Sequence, residues 1–526
     1  MKKDTLKNLT DSHGWIGVII SSLLFLIFLA GSISLFRDEV FQWSVAPTQA
    51  IQQGQILPPS EIMEIAIRDL PFNAKEHLTI VMPNERLPYY RAFVDVLELH
   101  DGHDYVELLI EPSTGEIIGE GHQFFLAEFI YKLHESAGLP SPYGLYLMGM
   151  VTLFFFFMTI SGVFIHAKKL FKHFFRYRTD SNQRSQWLDM HNVIGTISLP
   201  FTVMYAITGL IFNIVIVYQI AFAVILYQGD QAALLDDAGF DTIQPEWIGT
   251  PQKFDNIDST FKKIETEFGH APTLIRMYNY GDQGALAYYR GEMNTAFPQR
   301  YEVAVNLDDE SVLFKKDNEN KNAVVQGTDV LVLLHFGTFA GLDLRIIYFF
   351  LGLTVCVLIV TGSLLWIEKR QKNRNASQRS VVVMTKLTLT STLGVVVACS
   401  VAFLAERLLP VSWEARSQLL VYGFLISLIA SGVASLCVKK QTFLVSGLTL
   451  SSAILIITVA ADWLLFADNL LDYWSANQMT VFAVELGLLL VAGLFAICAY
   501  HIQSRQSFNT LDTTAYNDPN LLSTPN

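Results

Sequence analysis

Charge is scarce in this chain. Of 526 residues only 16% are charged, against 51% hydrophobic, where a soluble globular protein carries roughly 25% charged residues. With a mean hydropathy of +0.35, the shortage excludes an ordinary soluble domain and points to a bilayer. Cysteine is scarce too: Cys356, Cys399, Cys437 and Cys498 all fall inside apolar runs. Neither a disulfide framework nor a thiolate cluster for zinc or iron–sulfur is expected, only buried structural thiols. No G-x-G-x-x-G follows a strand pattern and no Walker A pattern occurs, so no nucleotide-binding domain is expected. No nucleic-acid partner is expected either.

What the chain has in abundance is long apolar runs. A spanning helix needs about 20 mostly apolar residues, and eight runs qualify, at 14–36, 143–167, 192–217, 346–367, 383–408, 417–437, 443–466 and 478–500. The first is too long for a signal-peptide core and ends in no small-residue cleavage site, so it reads as a spanning helix. The third continues to about Tyr227, with Pro200 as a candidate kink.

Lys and Arg near the run ends set the orientation. The segment 168–186 holds Lys168, Lys169, Lys172, Arg176, Arg178 and Arg184 against Asp180, and 367–386 holds Lys369, Arg370, Lys372, Arg374, Arg379 and Lys386 against Glu368. With Lys2, Lys3, Lys7, Lys439, Lys440 and Arg505, these place both termini in the cytoplasm. The fold class expected is therefore a mainly α integral membrane protein of about eight transmembrane helices, with two small α+β domains on the periplasmic side. The domains run 1–37 (first helix), 38–142 (periplasmic), 143–217 (second and third helices), 218–345 (periplasmic), 346–375 (fourth helix), 376–505 (an appended four-helix module) and 506–526 (a disordered polar tail). Strands are expected at Tyr105–Ile110 and Tyr301–Val305, with turns at Pro112–Gly115 and Asp308–Asp309.

The first four helices read as one unit used twice. Helix one opens His13-Gly-Trp-Ile-Gly17 and helix three opens His191-Asn-Val-Ile-Gly195. Leu133-His134 precedes helix two, and Leu334-His335 precedes helix four. Helix two closes Ser161-Gly-Val-Phe-Ile-His166 and helix four closes Thr361-Gly-Ser-Leu-Leu-Trp366. Helices five to eight show no such partner.

The repeat sorts the histidines. His13 pairs with His191 at the cytoplasmic level, and His134 with His335 at the periplasmic level. Two axial imidazoles saturate a haem iron and suit it to electron transfer, and helices of a bundle can supply one ligand each. Two such haems would bridge about 30 Å of hydrocarbon. Zinc or copper would also take imidazoles, and a lone histidine at a membrane interface needs no role. His166, whose repeat partner is Trp366, is an alternative cytoplasmic-side ligand in place of His13. His77, His100, His103, His122 and His270 read as solvated positions of the periplasmic segments; His100 and His103 with Asp101 and Asp104 form a weak metal pattern. His173 and His501 read as interface residues.

At these residues the sequence resembles the PepSY-associated transmembrane helix family over its first 375 or so positions, and within it the bacterial ferric siderophore reductases. The resemblance rests on His13-Gly-Trp-Ile-Gly, Leu133-His134, Leu334-His335-Phe-Gly, and the stretch from Ser161-Gly-Val-Phe-Ile-His166 through Phe174-Phe-Arg-Tyr-Arg178 to Gln183-Arg-Ser-Gln-Trp-Leu-Asp-Met-His191-Asn-Val. Leu199-Pro-Phe and Thr208-Gly209 continue it, and Thr114-Gly-Glu-Ile-Ile is similar to a PepSY turn.

The resemblance implies two b-type haems on transmembrane histidines, PepSY-like periplasmic domains, and one-electron reduction of a ferric siderophore or other ferric chelate at the bacterial inner membrane. It implies an oxidoreductase of iron uptake whose electron donor is a separate reductase, a quinol or a diffusible reductant. Segment 37–142 carries six basic and seventeen acidic residues, a net of −11, which favours cationic over anionic chelates. Rival expectations are a PepSY-type regulatory or binding protein without haem, and an iron-chelate transporter built on repeated halves. The appended helices 383–500 depart from the family's basic form; Asp462 and Glu485 sit near or within spanning segments there and are candidates for quinone contact or proton uptake, with placement at a helix end the equal reading for Asp462.

Overall fold

In the computed structural model, residues 2–45, 55–97, 105–167, 177–179, 182–240, 243, 245–292, 300–317, 319–373, 377–466, 470–476 and 478–516 are described. In chain order come α1 (Lys3–Ser34), α2 (Arg37–Val45), α3 (Pro59–Ile67), β1 (His77–Val81), β2 (Tyr90–Asp95), β3 (Tyr105–Ile110), β4 (Ile117–Glu120), α4 (Leu126–Ser136) and α5 (Tyr143–His166). The second half-repeat brings α6 (Gln183–Ile197), α7 (Leu199–Leu226), α8 (Gln231–Asp237), α9 (Ile257–Phe268), β5 (Leu274–Tyr278), β6 (Leu286–Glu292), β7 (Arg300–Asn306), β8 (Val312–Lys316), α10 (Ala323–Phe336) and α11 (Gly341–Gln371). The chain then adds α12 (Gln378–Leu389), α13 (Val395–Leu408), α14 (Arg416–Cys437), α15 (Lys440–Phe466), α16 (Leu470–Ser475) and α17 (Met479–Tyr516).

Among the described residues, eight helical stretches are long and apolar enough to cross a membrane: Lys3–Ser34, Tyr143–His166, Leu199–Leu226, Thr338–Gln371, Gln378–Leu408, Arg416–Cys437, Lys440–Phe466 and Met479–Ser504. The chain is a multi-pass membrane protein. Contacts divide it into two compact units, one of Met1–Ser34, Leu126–Thr202 and Leu351–Asn526, the other of Leu35–Phe125 and Val203–Phe350.

The third apolar run differs from its expected form. Pro200 does not kink one long helix; two helices meet at Ser198, and Pro200 sits in the first turn of α7. A proline there lacks only an N–H that the helix would not use. The last helix extends to Tyr516, past Gln506 where a polar disordered tail was expected; residues 517–526 lie outside the described ones. Among the cysteines, Cys356 and Cys399 are buried as expected, but Cys437 is exposed and Cys498 half-buried. An apolar run on a spanning helix serves an outward face as readily as an inward one, so hydropathy alone does not make a thiol buried.

In the second unit the described strands form one antiparallel sheet in the order β4-β3-β2-β1-β5-β6-β7-β8. Each segment contributes a four-stranded meander, and the first strands of the two pair directly, with Leu78 opposite Met277 and Ile80 opposite Ile275. The sequence reading gives these segments two small α+β domains; the sheet and its core run across both. Alternation explains which face is covered. In β2 every second residue is buried, and Leu78, Ile80, Ala92, Val94, Ile275, Met277, Ala287 and Tyr289 pack with Ile62 and Met63 of α3 and Ile257 and Ile264 of α9. Ser60 ties the two covering helices together, donating through N and Oγ to the Asp258 carboxylate at 3.1 and 2.5 Å. The expected turns form: Gly115, at φ +72°, closes on Glu111, and Asp309 caps the β7–β8 turn through Ser311.

Candidate functional site

The first unit holds a half-open cavity of about 980 Å³ whose wall includes His13, His166 and His191. That volume lies at the upper end of the roughly 300–1,000 Å³ usual for ligand and cofactor sites. Its inner wall is apolar, with Leu24 of α1, Phe155 of α5, and Val355 and Leu358 of α11, while Lys3, Lys7, Arg184, Lys369 and Arg370 also line it. Trp15 and Trp366 meet edge to face, ring centres 5.1 Å apart. The Arg370 guanidinium lies 4.4 Å from the Trp15 ring and 5.3 Å from Trp366, close enough for cation–π attraction.

His13 and His191 are held in the same way by repeat-related residues. Nδ1 of His13 is 2.8 Å from Ser161 Oγ, and Nδ1 of His191 is 3.2 Å from Thr361 Oγ1 and 3.1 Å from Leu358 O. The residue after each hydroxyl is glycine. Cε1 of His13 lies 3.5 Å from where a Cβ on Gly162 would stand, and Cε1 of His191 lies 3.1 Å from one on Gly362. A side chain at Gly362 would therefore press on the ring.

A backbone carbonyl fixes one tautomer. Leu358 O is an acceptor only, so His191 carries its hydrogen on Nδ1 and its lone pair on Nε2. At His13 the partner is a hydroxyl that also reaches Met158 O at 3.1 Å, and a hydroxyl can accept from Nδ1 or donate to it.

The other two candidates also sit against oxygens, each within its own unit. In the first unit, His134 Nδ1 donates to Ile27 O at 2.9 Å. Gly31 makes room for that ring: a Cβ there would stand 2.6 Å from Nδ1. In the second unit, His335 Nδ1 is 2.8 Å from Thr208 Oγ1, which also reaches Met204 O at 2.9 Å. Tyr205 donates to the His335 carbonyl at 2.7 Å, and Tyr205 and Phe212 flank the ring edge-on, centres 4.9 and 5.1 Å away.

Four imidazoles thus have Nδ1 against an oxygen, and at His134 and His191 that oxygen is a carbonyl, which leaves Nε2 as the basic nitrogen. That is the arrangement by which proteins fix metal-ligating histidines. The donor set fits a haem at the level of His13 and His191, where the cavity has room for the ring and cations for its carboxylates.

Sequence reasoning missed the orienting groups. Ser161, Thr361 and Thr208 stood in the noted motifs, and the signal that could have found them is a hydroxyl followed by glycine at repeat-related positions. It also missed Asp189. Buried two residues before His191, its carboxylate takes a two-pronged grip from Arg178, at 2.8 Å from Nε and 2.9 Å from the terminal nitrogen, which fixes the start of α6.

The remaining histidines lie elsewhere. His77 is beside Asp95 (3.3 Å) and Glu76 (3.7 Å), His122 pairs with Glu120 at 3.1 Å, and the His270 carbonyl accepts from Tyr301 at 2.8 Å. His501 is exposed on α17. His100, His103 and His173, with the weak metal pattern, lie outside the described residues.

Comparison with known proteins gives two results. An uncharacterized protein of Pseudomonas aeruginosa is 21% identical over 346 residues, covering 61% of this chain and 82% of that protein. The model of the PepSY-associated TM region matches residues 10–369, a stretch that takes in all five candidate histidines and leaves the appended helices outside, and the chain belongs to that family.

Proposed function

We propose that the chain is a transmembrane electron-transfer protein that carries two b-type haems and reduces a ferric chelate on the periplasmic face of the inner membrane, releasing Fe(II). The observation that supports this reading is the common setting of the histidines: Nδ1 lies against an oxygen at His13, His191, His134 and His335, and the first two are on the wall of one large cavity.

In this reading His13 and His191 hold the cytoplasmic-side haem, with Ser161, Thr361 and Leu358 O fixing their rings. His166 lines the same cavity and is the alternative ligand there. The other pair, His134 and His335, comes from the sequence repeat. A haem with two imidazoles on iron supplies one-electron transfer with no open position for oxygen. The residues do the rest. The apolar wall excludes water, and Lys3, Lys7, Arg184, Lys369 and Arg370 offer charge-assisted partners to the porphyrin carboxylates. One electron delivered to a chelated Fe(III) yields Fe(II), which hexadentate oxygen ligands hold far less well. The acidic segment 37–142, net −11, favours the approach of cationic chelates. In this reading electrons come from a separate quinol, reductase or diffusible reductant and both termini lie in the cytoplasm, an orientation that the positive-inside charge pattern supports.

The test is a dithionite-reduced minus oxidised visible spectrum of the purified chain together with its haem-to-protein ratio. A ratio near two with split cytochrome b bands supports the reading. Colourless protein from haem-replete cells rejects it in favour of a regulator or a transporter. His134→Ala and His335→Ala should each remove one haem and leave the other. His166→Ala with full haem content assigns the cytoplasmic pair to His13 and His191.

A further inference from the structure

The family match ends at residue 369, and the helices beyond it bury charge in a way that packing does not require. Glu406 and Arg407 close α13, Arg416 opens α14, Asp462 lies near the end of α15, Tyr473 is on α16, and Glu485 is in the second turn of α17. All are buried; Asp462 and Glu485 are both 0% exposed. Arg416 donates to Glu406 Oε1 at 3.1 Å and to Leu409 O at 3.0 Å, satisfying the last carbonyls of α13. Arg407 Nε lies 2.8 Å from Asp462 Oδ1 and interacts electrostatically with Tyr473, Glu485 and Glu406 as well. The contact with Asp462 is a pairing of charges without hydrogen-bond alignment, and neither Asp462 oxygen has a hydrogen-bond partner among the described residues, nor has Glu406 Oε2.

Among the described residues the cluster counts three carboxyls and two guanidiniums, a net charge of −1 with all five ionised. Tyr473 adds no charge as a neutral phenol, and the nearby Glu414 and Asp472 are exposed. Isolated charge inside a bilayer is strongly disfavoured, and ionisable groups found there mark proton and ion paths by default. A bound cation could restore neutrality, but it needs converging ligand atoms. Among the described residues, a convergence of three or more His, Cys or carboxylate ligands occurs at Glu76, His77 and Asp95, and not in this cluster. A proton needs one oxygen.

We infer that the buried cluster of the appended module binds one exchangeable proton, shared among Glu406, Asp462 and Glu485, and that this module handles protons. The site is independent of haem. Uptake is a simple association: one carboxylate becomes a carboxylic acid, the cluster becomes neutral, and the new O–H is a donor for an oxygen that has none.

The test is infrared spectroscopy of the full-length chain in lipid nanodiscs, read as wild type minus variant in H2O and D2O buffers. Wild type should show a protonated-carboxyl C=O band that shifts in D2O. Glu485→Gln and, separately, Asp462→Asn should abolish it, since each leaves two carboxylates to two guanidiniums. Arg407→Gln should double its area, because a second proton must then replace the missing cation; a merely structural cluster would not change protonation in this sense. Tyr473→Phe should leave it. A wild type without the band, a band that does not shift in D2O, or a band of unchanged area across the carboxyl and arginine variants overturns the proposal. The variants act independently, so failure of one to fold leaves the others to decide.

Discussion

Removing one oxygen atom near each cytoplasmic-side ligand should have unequal effects. Ser161→Ala takes from His13 Nδ1 its hydroxyl partner, which stands at 2.8 Å. Thr361→Val takes from His191 a hydroxyl at 3.2 Å but leaves Leu358 O at 3.1 Å. In the first case a part-buried ring nitrogen loses its hydrogen-bond partner, at a cost of about 1–3 kcal/mol; loss of such an orienting partner typically lowers metal affinity about 10–100-fold. In the second the carbonyl still fixes the tautomer, and a loss below about tenfold is expected. The assay is haem titration into apo-protein, read by absorbance, with electron paramagnetic resonance of the low-spin ferric form to report the imidazole's hydrogen bonding. Equal losses in the two variants, or wild-type affinity in Ser161→Ala, would refute the claim that Nδ1 orientation governs binding.

Other outcomes follow from the same geometry. Gly31→Val should displace His134, because its Cβ would stand 2.6 Å from Nδ1; haem content should fall from two per chain to one, and a ratio that stays at two counts against His134 as a ligand. In the sheet, burial alone would raise the Glu111 carboxyl, but hydrogen bonds from Thr114 and Ser113 outweigh it and hold it below its ordinary 4.5. A depressed carboxyl stabilises the fold above its unfolded value and loses that contribution as pH falls through the folded one. Glu111→Gln should cost about 1–3 kcal/mol at pH 7 and flatten the acid sensitivity of amide-exchange protection in β3 and β4; an unchanged pH profile would contradict this. Lys321, fully buried at its side chain, pairs with Asp329 at 2.6 Å, while Arg300 stands 3.6 Å from the same carboxylate. Lys321→Met should destabilise the second unit by about 3 kcal/mol, the low end for breaking a buried pair, because Arg300 still faces Asp329. A change under about 0.5 kcal/mol in urea unfolding, the size of a surface substitution, would show the pair is not structural.

Much of this was legible in the residues. Hydropathy runs near 20 residues can hardly be anything but spans, since a backbone in hydrocarbon must satisfy its own hydrogen bonds. The repeat was legible because H-x-x-I-G, Leu-His and hydroxyl-Gly recur in order, and a strand was expected over the described residues of β3. Two things were not. Pairing of β1 with β5 joins strands nearly 200 residues apart, and nothing local in either strand announces its partner. The charge cluster was half visible: Asp462 and Glu485 stood out in apolar runs, but Glu406, Arg407 and Arg416 were not singled out.

The sequence by itself determined which residues must cross the membrane and which histidines the duplicated unit repeats, because both depend on side-chain chemistry read along one dimension. Only the tertiary structure decided that His13, His166 and His191 line one cavity, that an oxygen stands against Nδ1 of four imidazoles, and that Glu406, Asp462 and Glu485 are buried beside Arg407 and Arg416. Hydrogen-bond direction and charge balance belong to neighbours in space, and the order of residues does not encode them locally.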